Sequence, residues 1–168
     1  MKKLYNHPVL MLVLGVILGA GTMLLTPQQK VAASAAAGND KFSMCTVPVA
    51  TIAETDAVFV LDHLTGILRG GYLNSGTGAF THTYLRNVAA DFQLNPSTPE
   101  PRYCIVAGPA NLRSGGGNQP ANGVLYIGEL TSGAVIAYGF GRPQGRGSVA
   151  PMEVVRIDGF AFREAAGG

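Results

Sequence analysis

Short apolar runs, separated by turn residues, recur along the chain after residue 42 and predict β-strands. Two segments are similar: residues 59–72 and residues 125–138 each contain an apolar run, a Leu-Thr turn ending in Gly, and a second apolar run. This pattern is typical of a β-hairpin in which the glycine takes the positive φ angle that the turn needs. The two hairpins therefore predict a β unit that occurs twice.

Further strands are predicted on either side of the hairpins. Residues 46–52 are β-branched and extended, but Pro48 cannot donate a ladder hydrogen bond, so this strand is expected at a sheet edge. Residues 79–84 and 102–107 predict two more strands. The chain after residue 42 is thus predicted to be all-β, mainly an antiparallel sheet or sandwich.

Two local patterns refine this prediction. Both alternating faces of residues 59–64 are apolar near the centre, which is typical of a strand that is covered on both sides. Asp158-Gly159 between apolar runs predicts a third hairpin. One short helix is predicted over residues 87–94, with Asn87 as its N-cap. Its inward residues are expected to be Val88, Phe92 and Leu94.

The N-terminal segment is an uncharged apolar run over residues 9–25, preceded by Lys2 and Lys3. Its length fits a single transmembrane helix, and Gly15 and Gly19 form a spacing suited to close helix packing in a membrane. The alternative is a signal peptide that is cleaved near residues 35–37, where small residues offer a cleavage site.

The two lysines before the apolar run favour a cytoplasmic N-terminus, because positive charge tends to stay inside. The predicted organisation is a membrane anchor or signal over residues 1–30, an Ala-rich linker over 31–41, and an extracytoplasmic β domain over 42–168. The domain would be periplasmic or on the cell surface, held by membrane lipid around residues 9–25. After signal cleavage it would instead be secreted.

The charge distribution argues against nucleic-acid binding. The whole chain carries +2, but Lys2, Lys3 and Lys30 all belong to the targeting region, so the part beyond Gly38 carries a net charge near −1. A nucleic-acid-binding domain is expected to have a basic stripe, which this part of the sequence lacks.

The two cysteines, Cys45 and Cys104, lie beyond the apolar run. An oxidising compartment would allow them to form a disulfide, and the alternative is two separate buried thiols. Two cysteines without a Cys-x-x-Cys or a neighbouring histidine do not make a zinc signature, so no metal site is predicted.

Candidate catalytic groups are few. Asp62 is interpreted as an acceptor for backbone N–H groups in its own turn. His63 and His82 would form an acid–base site only if a carboxylate such as Glu129 or Asp91 joined them across strands. The sequence contains no Gly-x-Ser-x-Gly or other nucleophile motif.

The first hairpin resembles the strand-turn-strand unit of quinoprotein-like β-propeller repeats, which share the pattern Leu-Asp-x-x-Thr-Gly. The residues that carry the resemblance are Leu61, Asp62, His63, Leu64, Thr65 and Gly66. The second hairpin departs from it, since it lacks the Asp and has an extra turn residue. The resemblance implies propeller-like hairpins, and about 130 residues supply roughly three blades, so a ring would need other copies of the chain. A compact antiparallel sheet is the preferred alternative, and the resemblance implies no catalytic or cofactor residue.

The predicted function is a membrane-anchored, extracytoplasmic β domain that is not an enzyme. It would bind or organise another envelope component, as an accessory subunit of a membrane complex or as a homo-oligomer. No cofactor is predicted. The alternatives are an exported hydrolase with a site around His63, His82 and Glu129, and a propeller-like module completed by oligomerisation.

Overall fold

The computed structural model describes residues 36–50, 55–94, 101–113, 119–145, 147 and 150–163, together with Leu12, Gly15 and Val16. The chain divides into two units, Met1–Ala32 and Ala33–Gly168. The three described residues of the first unit are helical and exposed. Among the described residues, no helix has the length and apolar character needed to cross a bilayer. Most of the predicted span, with Gly19, lies outside them.

Nine strands of the second unit form one nearly closed, barrel-like sheet. This confirms the prediction that the fold is all-β. The order of the strands in the sheet is β1-β2-β3-β4-β5-β9-β8-β7-β6. Neighbours are antiparallel, except that β5 and β9 are parallel. The strands are β1 Ala36–Gly38, β2 Phe42–Val47, β3 Ala57–Asp62, β4 Ile67–Asn74, β5 Ala79–Asn87, β6 Tyr103–Pro109, β7 Gly123–Glu129, β8 Ala134–Phe140 and β9 Met152–Ala161.

The sheet consists of two four-stranded antiparallel meanders, β2 to β5 and β6 to β9. The two predicted hairpins are confirmed and form the centres of these meanders, as β3–β4 and β7–β8. The parallel pair β5–β9 joins the meanders. Because strand directions alternate on both sides of that join, β2 and β6 also run in the same direction.

The inner face of the sheet forms the core. The rings of Phe59, Tyr84 and Phe140 contact one another there, with centroids 4.9–5.4 Å apart. A Cβ atom on Gly70 would lie 2.4 Å from the Phe59 ring, so only glycine lets this ring lie flat against β4. Each such aromatic side chain buries a large apolar area, which is a main stabilising contribution in a small domain.

A single turn of helix, α1 (Val88–Asp91), follows β5. The predicted N-cap is confirmed, because Asn87 Oδ1 accepts a hydrogen bond from the Ala90 N–H at 3.1 Å. Val88 and Phe92 are buried and Leu94 is half-buried, as predicted. The helix ends earlier than predicted, and Gln93 takes a positive φ of 52°.

The prediction that residues 46–52 form an edge strand is wrong. The strand is β2, which ends at Val47, and it is internal because β1 pairs with its second edge. Three residues of the predicted Ala-rich linker, Ala36–Gly38, thus belong to the sheet. Residues 51–54 lie outside the described part.

Two other predictions are corrected. No hairpin forms at Asp158-Gly159, because β9 continues through both residues to Ala161, and Asp158 and Gly159 both pair with β8. The first hairpin strand is not covered on both sides: Phe59 and Leu61 are buried, whereas Val60 is 37% exposed. The alternation of faces was predicted correctly, but among the described residues only the inner face of this strand is buried.

Candidate functional site

The two end strands of the sheet, β1 and β6, approach each other without forming a ladder in the described part of the chain. We call the boundary between β1 and β6 the seam. An open cleft of about 360 Å³ lies along it, which we call the seam cleft. Its lining includes Ala36, Gly38, Ser43, His63, Cys104 and Ile105.

The walls of the seam cleft present backbone groups that none of the described strands pairs. In an antiparallel ladder, alternate residues point their N–H and C=O groups to opposite sides. The Asn39 N–H donates to the Phe42 carbonyl of β2, so Asn39 and, two residues earlier, Ala37 point their backbone groups toward β2. The residues between and before them, Gly38 and Ala36, therefore direct their backbone groups away from β2.

The same alternation applies to β6. The Leu130 N–H donates to the Arg102 carbonyl and the Ala110 N–H to that of Asn122, so the even-numbered residues of β6 pair with β7. Tyr103 and Ile105 therefore direct their backbone N–H and C=O groups into the seam. Both walls of the cleft are unpaired strand edges.

Ser43 and His63 form a polar pair on the inner side of the cleft. A hydrogen bond of 2.5 Å joins Ser43 Oγ and His63 Nε2, and both residues are only 7% exposed. Ser43 points inward from β2, and His63 follows β3, where its N–H donates to the Lys41 carbonyl. A serine next to an imidazole has the first two parts of a nucleophile–base system. No carboxylate hydrogen-bonds to this histidine within the described residues.

The two cysteines are free thiols on opposite faces of the sheet. Cys45 points into the core, where burial raises the pKa of its thiol to about 12. Cys104 is exposed and lines the seam cleft. The two thiols are separate, because side chains on opposite faces cannot be bridged without backbone movement. The prediction that both would be buried is wrong for Cys104, which is exposed.

Glu129 is fully buried at the end of β7. Its carboxylate accepts hydrogen bonds from the N–H groups of Thr131 at 2.9 Å, Ser132 at 2.5 Å and Arg102 at 3.3 Å. Burial acts to raise the pKa of Glu129, but the turn N–H groups outweigh it and hold the pKa below its usual range. The carboxylate is engaged in holding its own turn.

Asp62 occupies the matching place in the first hairpin. Its carboxylate accepts from the Leu64 N–H and the Thr65 hydroxyl, both at 2.9 Å, which confirms the predicted turn role. The Thr65 hydroxyl, followed by the Leu64 N–H, lowers the pKa of Asp62.

His82 lies on β5 and is buried. Its Nε2 is 3.0 Å from the Gln144 carbonyl and its Nδ1 is 3.1 Å from the Thr81 hydroxyl. None of these contacts involves His63 or Glu129. The structure thus does not bring together the three residues of the hypothesised hydrolase site, and no group of three metal-ligating side chains occurs among the described residues.

Asp91, the other candidate carboxylate, pairs with Arg86 at 2.6 Å and accepts a hydrogen bond from the Tyr138 hydroxyl at 3.1 Å. Burial acts to raise the pKa of Asp91, but these contacts lower it overall. A second cavity, of about 240 Å³, lies beside it against Arg156 and Phe160. Because the Asp91 carboxylate already binds Arg86 and Tyr138, it acts as a structural link between α1 and β8.

The Tyr103 hydroxyl is buried and has no hydrogen-bond partner within the described structure. A Cβ atom on Gly66 would lie 3.0 Å from this oxygen, which places it against the β3–β4 turn. Burial, and then the nearby Glu129 carboxylate, raise the pKa of Tyr103 to about 12, so the hydroxyl is protonated at neutral pH.

Sequence reasoning missed Ser43, since the serine and His63 are twenty residues apart and belong to no motif. It also missed the cleft, which is created by the meeting of β1 and β6. Comparisons with protein-family models, with curated proteins and with solved structures found no match for the chain.

Proposed function

We propose that the chain is an accessory domain on the outer side of a membrane, which binds a partner protein at the seam cleft. The observation that carries this proposal is the pair of unpaired strand edges, β1 and β6, that face each other across the cleft. A strand edge with unpaired N–H and C=O groups is a template for pairing with another chain.

The sequence supports the location. The apolar run over residues 9–25, after two lysines, is suited to anchor the domain, and the near-neutral exported part has no charge pattern for nucleic acid. The described side chains that could perform catalysis are mostly engaged in turns and ion pairs, which also favours binding.

Cys104, which lines the seam cleft, offers a site for crosslinking a bound partner. The full chain in its native membranes would be labelled on Cys104 with a maleimide photo-crosslinker, while Cys45 stays unlabelled because a buried thiol of raised pKa gives little reactive thiolate. Illumination should yield a defined crosslinked product, to be identified by mass spectrometry.

The matched control moves the thiol away from the seam. A Cys104→Ser, Ser75→Cys double variant carries it in the exposed turn between β4 and β5, and it should give none of that product. Equal crosslinking from both positions, or none from Cys104, would contradict binding at the cleft.

A serine hydrolase is the second candidate function, and the Ser43–His63 hydrogen bond favours it. A fluorophosphonate probe should then label Ser43, and the labelling should disappear in Ser43→Ala and fall strongly in His63→Gln. Ser132→Ala, which changes an exposed serine, is the control and should label as the wild type does. An unlabelled Ser43 would remove this candidate.

A further inference from the structure

We infer that the occupant of the seam cleft is an extended peptide segment of the partner, which pairs as an added strand with the free edge of β6. This inference rests on the proposed function and names the chemistry of its partner. The cleft walls offer main-chain donors and acceptors at Tyr103 and Ile105 on β6, and at Ala36 and Gly38 on β1. An extended backbone is the ligand that satisfies a row of such groups at strand spacing.

The direction of the added strand follows from the topology. β1 is antiparallel to β2, and β2 and β6 run in the same direction, so β1 is antiparallel to β6. A strand between them is parallel to one and antiparallel to the other. Antiparallel pairing is the more stable per residue, and β6 has seven residues where β1 has three. The peptide is therefore expected to run antiparallel to β6.

The seam must widen to admit this strand. Two strand spacings require about 9.6 Å between β1 and β6, whereas β6 has Cα atoms within 8 Å of Cα atoms of both β1 and β2. β2 is held on both edges, so the added strand is expected beside the part of β6 that faces β1. The moving part is β1, because its three residues are all exposed and, among the described strands, it pairs only with β2. Short exposed strands open at low free energy.

The side chains of the cleft indicate which peptide residues fit. β1 contributes only Ala and Gly, so large or β-branched peptide side chains have room beside it. Peptide residues that face inward meet the hydroxyl of Ser43 and the imidazole of His63. Serine, threonine or asparagine at those positions would hydrogen-bond to this pair.

The test is a selection from a random dodecapeptide phage library against the full chain in detergent micelles. An enriched peptide is then synthesised and amide hydrogen exchange is followed residue by residue in its presence. The Tyr103 and Ile105 amides should be protected at least tenfold. Those of Cys104 and Val106, which already face β7, should not change and serve as controls within the same strand.

A second peptide, N-methylated at every other residue, keeps the side chains but loses the N–H groups of one edge. The methylation frame that faces β6 should weaken binding at least tenfold. Failure to enrich any peptide, or unchanged exchange at Tyr103 and Ile105 with an enriched one, overturns the inference.

The two proposals fail separately. A partner that crosslinks from Cys104 without protecting the Tyr103 and Ile105 amides leaves binding at the cleft in place and overturns strand addition. The absence of any crosslinked partner overturns the proposed function, and strand addition with it.

Discussion

The turns of the two central hairpins have the same backbone but differ in how their carboxylates are used. Gly66 and Gly133 have φ angles of 63° and 64°, and each N–H donates to the carbonyl of the preceding acidic residue, Asp62 or Glu129. The Asp62 carboxylate reaches only its own turn. Glu129, longer by one methylene, also accepts from the Arg102 N–H beside β6.

This difference changes what each turn stabilises. The backbone bond from His63 to Lys41 corresponds to that from Leu130 to Arg102, so the neighbouring strand is placed alike in both halves. Only Glu129 ties that strand to the turn with its side chain, and only Glu129 is fully buried. Side-chain length, on one backbone, decides whether the carboxylate holds a turn or also a neighbouring strand.

The largest expected effect comes from removing the buried carboxylate. Glu129→Ala should lower the free energy of unfolding by about 3 kcal/mol, because three N–H groups lose a charged acceptor. Asp62→Ala, its counterpart in the exposed turn, should cost clearly less. Urea unfolding of both variants measures the difference, and equal losses would show that the extra bond to Arg102 is unimportant.

The two turn glycines give the next largest contrast. A Cβ atom on Gly66 would lie 2.5 Å from the Ala89 Cβ in α1, and one on Gly133 would lie 2.6 Å from the Cβ of the exposed Arg163. Alanine is strained at a positive φ in both variants. The new Cβ at residue 66 meets a helix, which resists displacement, whereas the one at residue 133 meets the exposed Arg163, which can move. We expect losses of about 2–3 kcal/mol for Gly66→Ala and about 1–2 kcal/mol for Gly133→Ala. Thermal unfolding that ranks them in the reverse order would contradict this.

Lowering the pH should reduce the contribution of the Glu129 carboxylate to the free energy of unfolding. Its pKa is lowered in the folded protein, so its stabilisation is complete above the ordinary carboxyl pKa and is lost as the pH falls through the lower folded value. Unfolding free energies of the wild type and Glu129→Gln, measured from pH 7 down to about pH 2, should converge below roughly pH 4. A constant difference across that range would mean that the charge is not what the turn uses.

The smallest expected effect is at Tyr103, the first residue of β6. Its hydroxyl is buried without a partner, so Tyr103→Phe should leave stability unchanged or raise it by up to about 1 kcal/mol. Tyr138→Phe is the control, since that hydroxyl donates to Asp91 and its loss should destabilise. A marked loss of stability in Tyr103→Phe would reveal a partner for the hydroxyl.

The hairpins and the helix cap were predictable because their signals are local. The alternation in β3, the turn at Thr65-Gly66 and the Asn87 cap each depend on residues within one short window. The parallel join of β5 and β9 pairs Tyr84 with Met152, and nothing near either residue indicates it. The sequence predicts a linker at residues 36–38 because this Ala-rich stretch has no periodic core pattern, and only its pairing with β2 makes it a strand.

The same reasoning explains the errors at Asp158-Gly159 and at the candidate site. A local Asp-Gly pair predicts a turn, but continuous pairing with β8 keeps the chain extended there. Ser43 and His63 meet only because β2 and β3 are neighbours. His63 and His82, which the sequence analysis considers as a pair, take separate partners.

The parallel join has a mechanical consequence. It consists of two residue pairs in the described strands, with Arg86 bridging to Glu153 at 2.8 Å, and it lies opposite the seam, where no ladder closes the sheet. On the seam side, the Asn122 N–H donates to the Val49 carbonyl at 3.0 Å and ties the second meander to the residues that follow β2. Admitting a strand therefore displaces β1, while the join and this bond keep the two meanders in place.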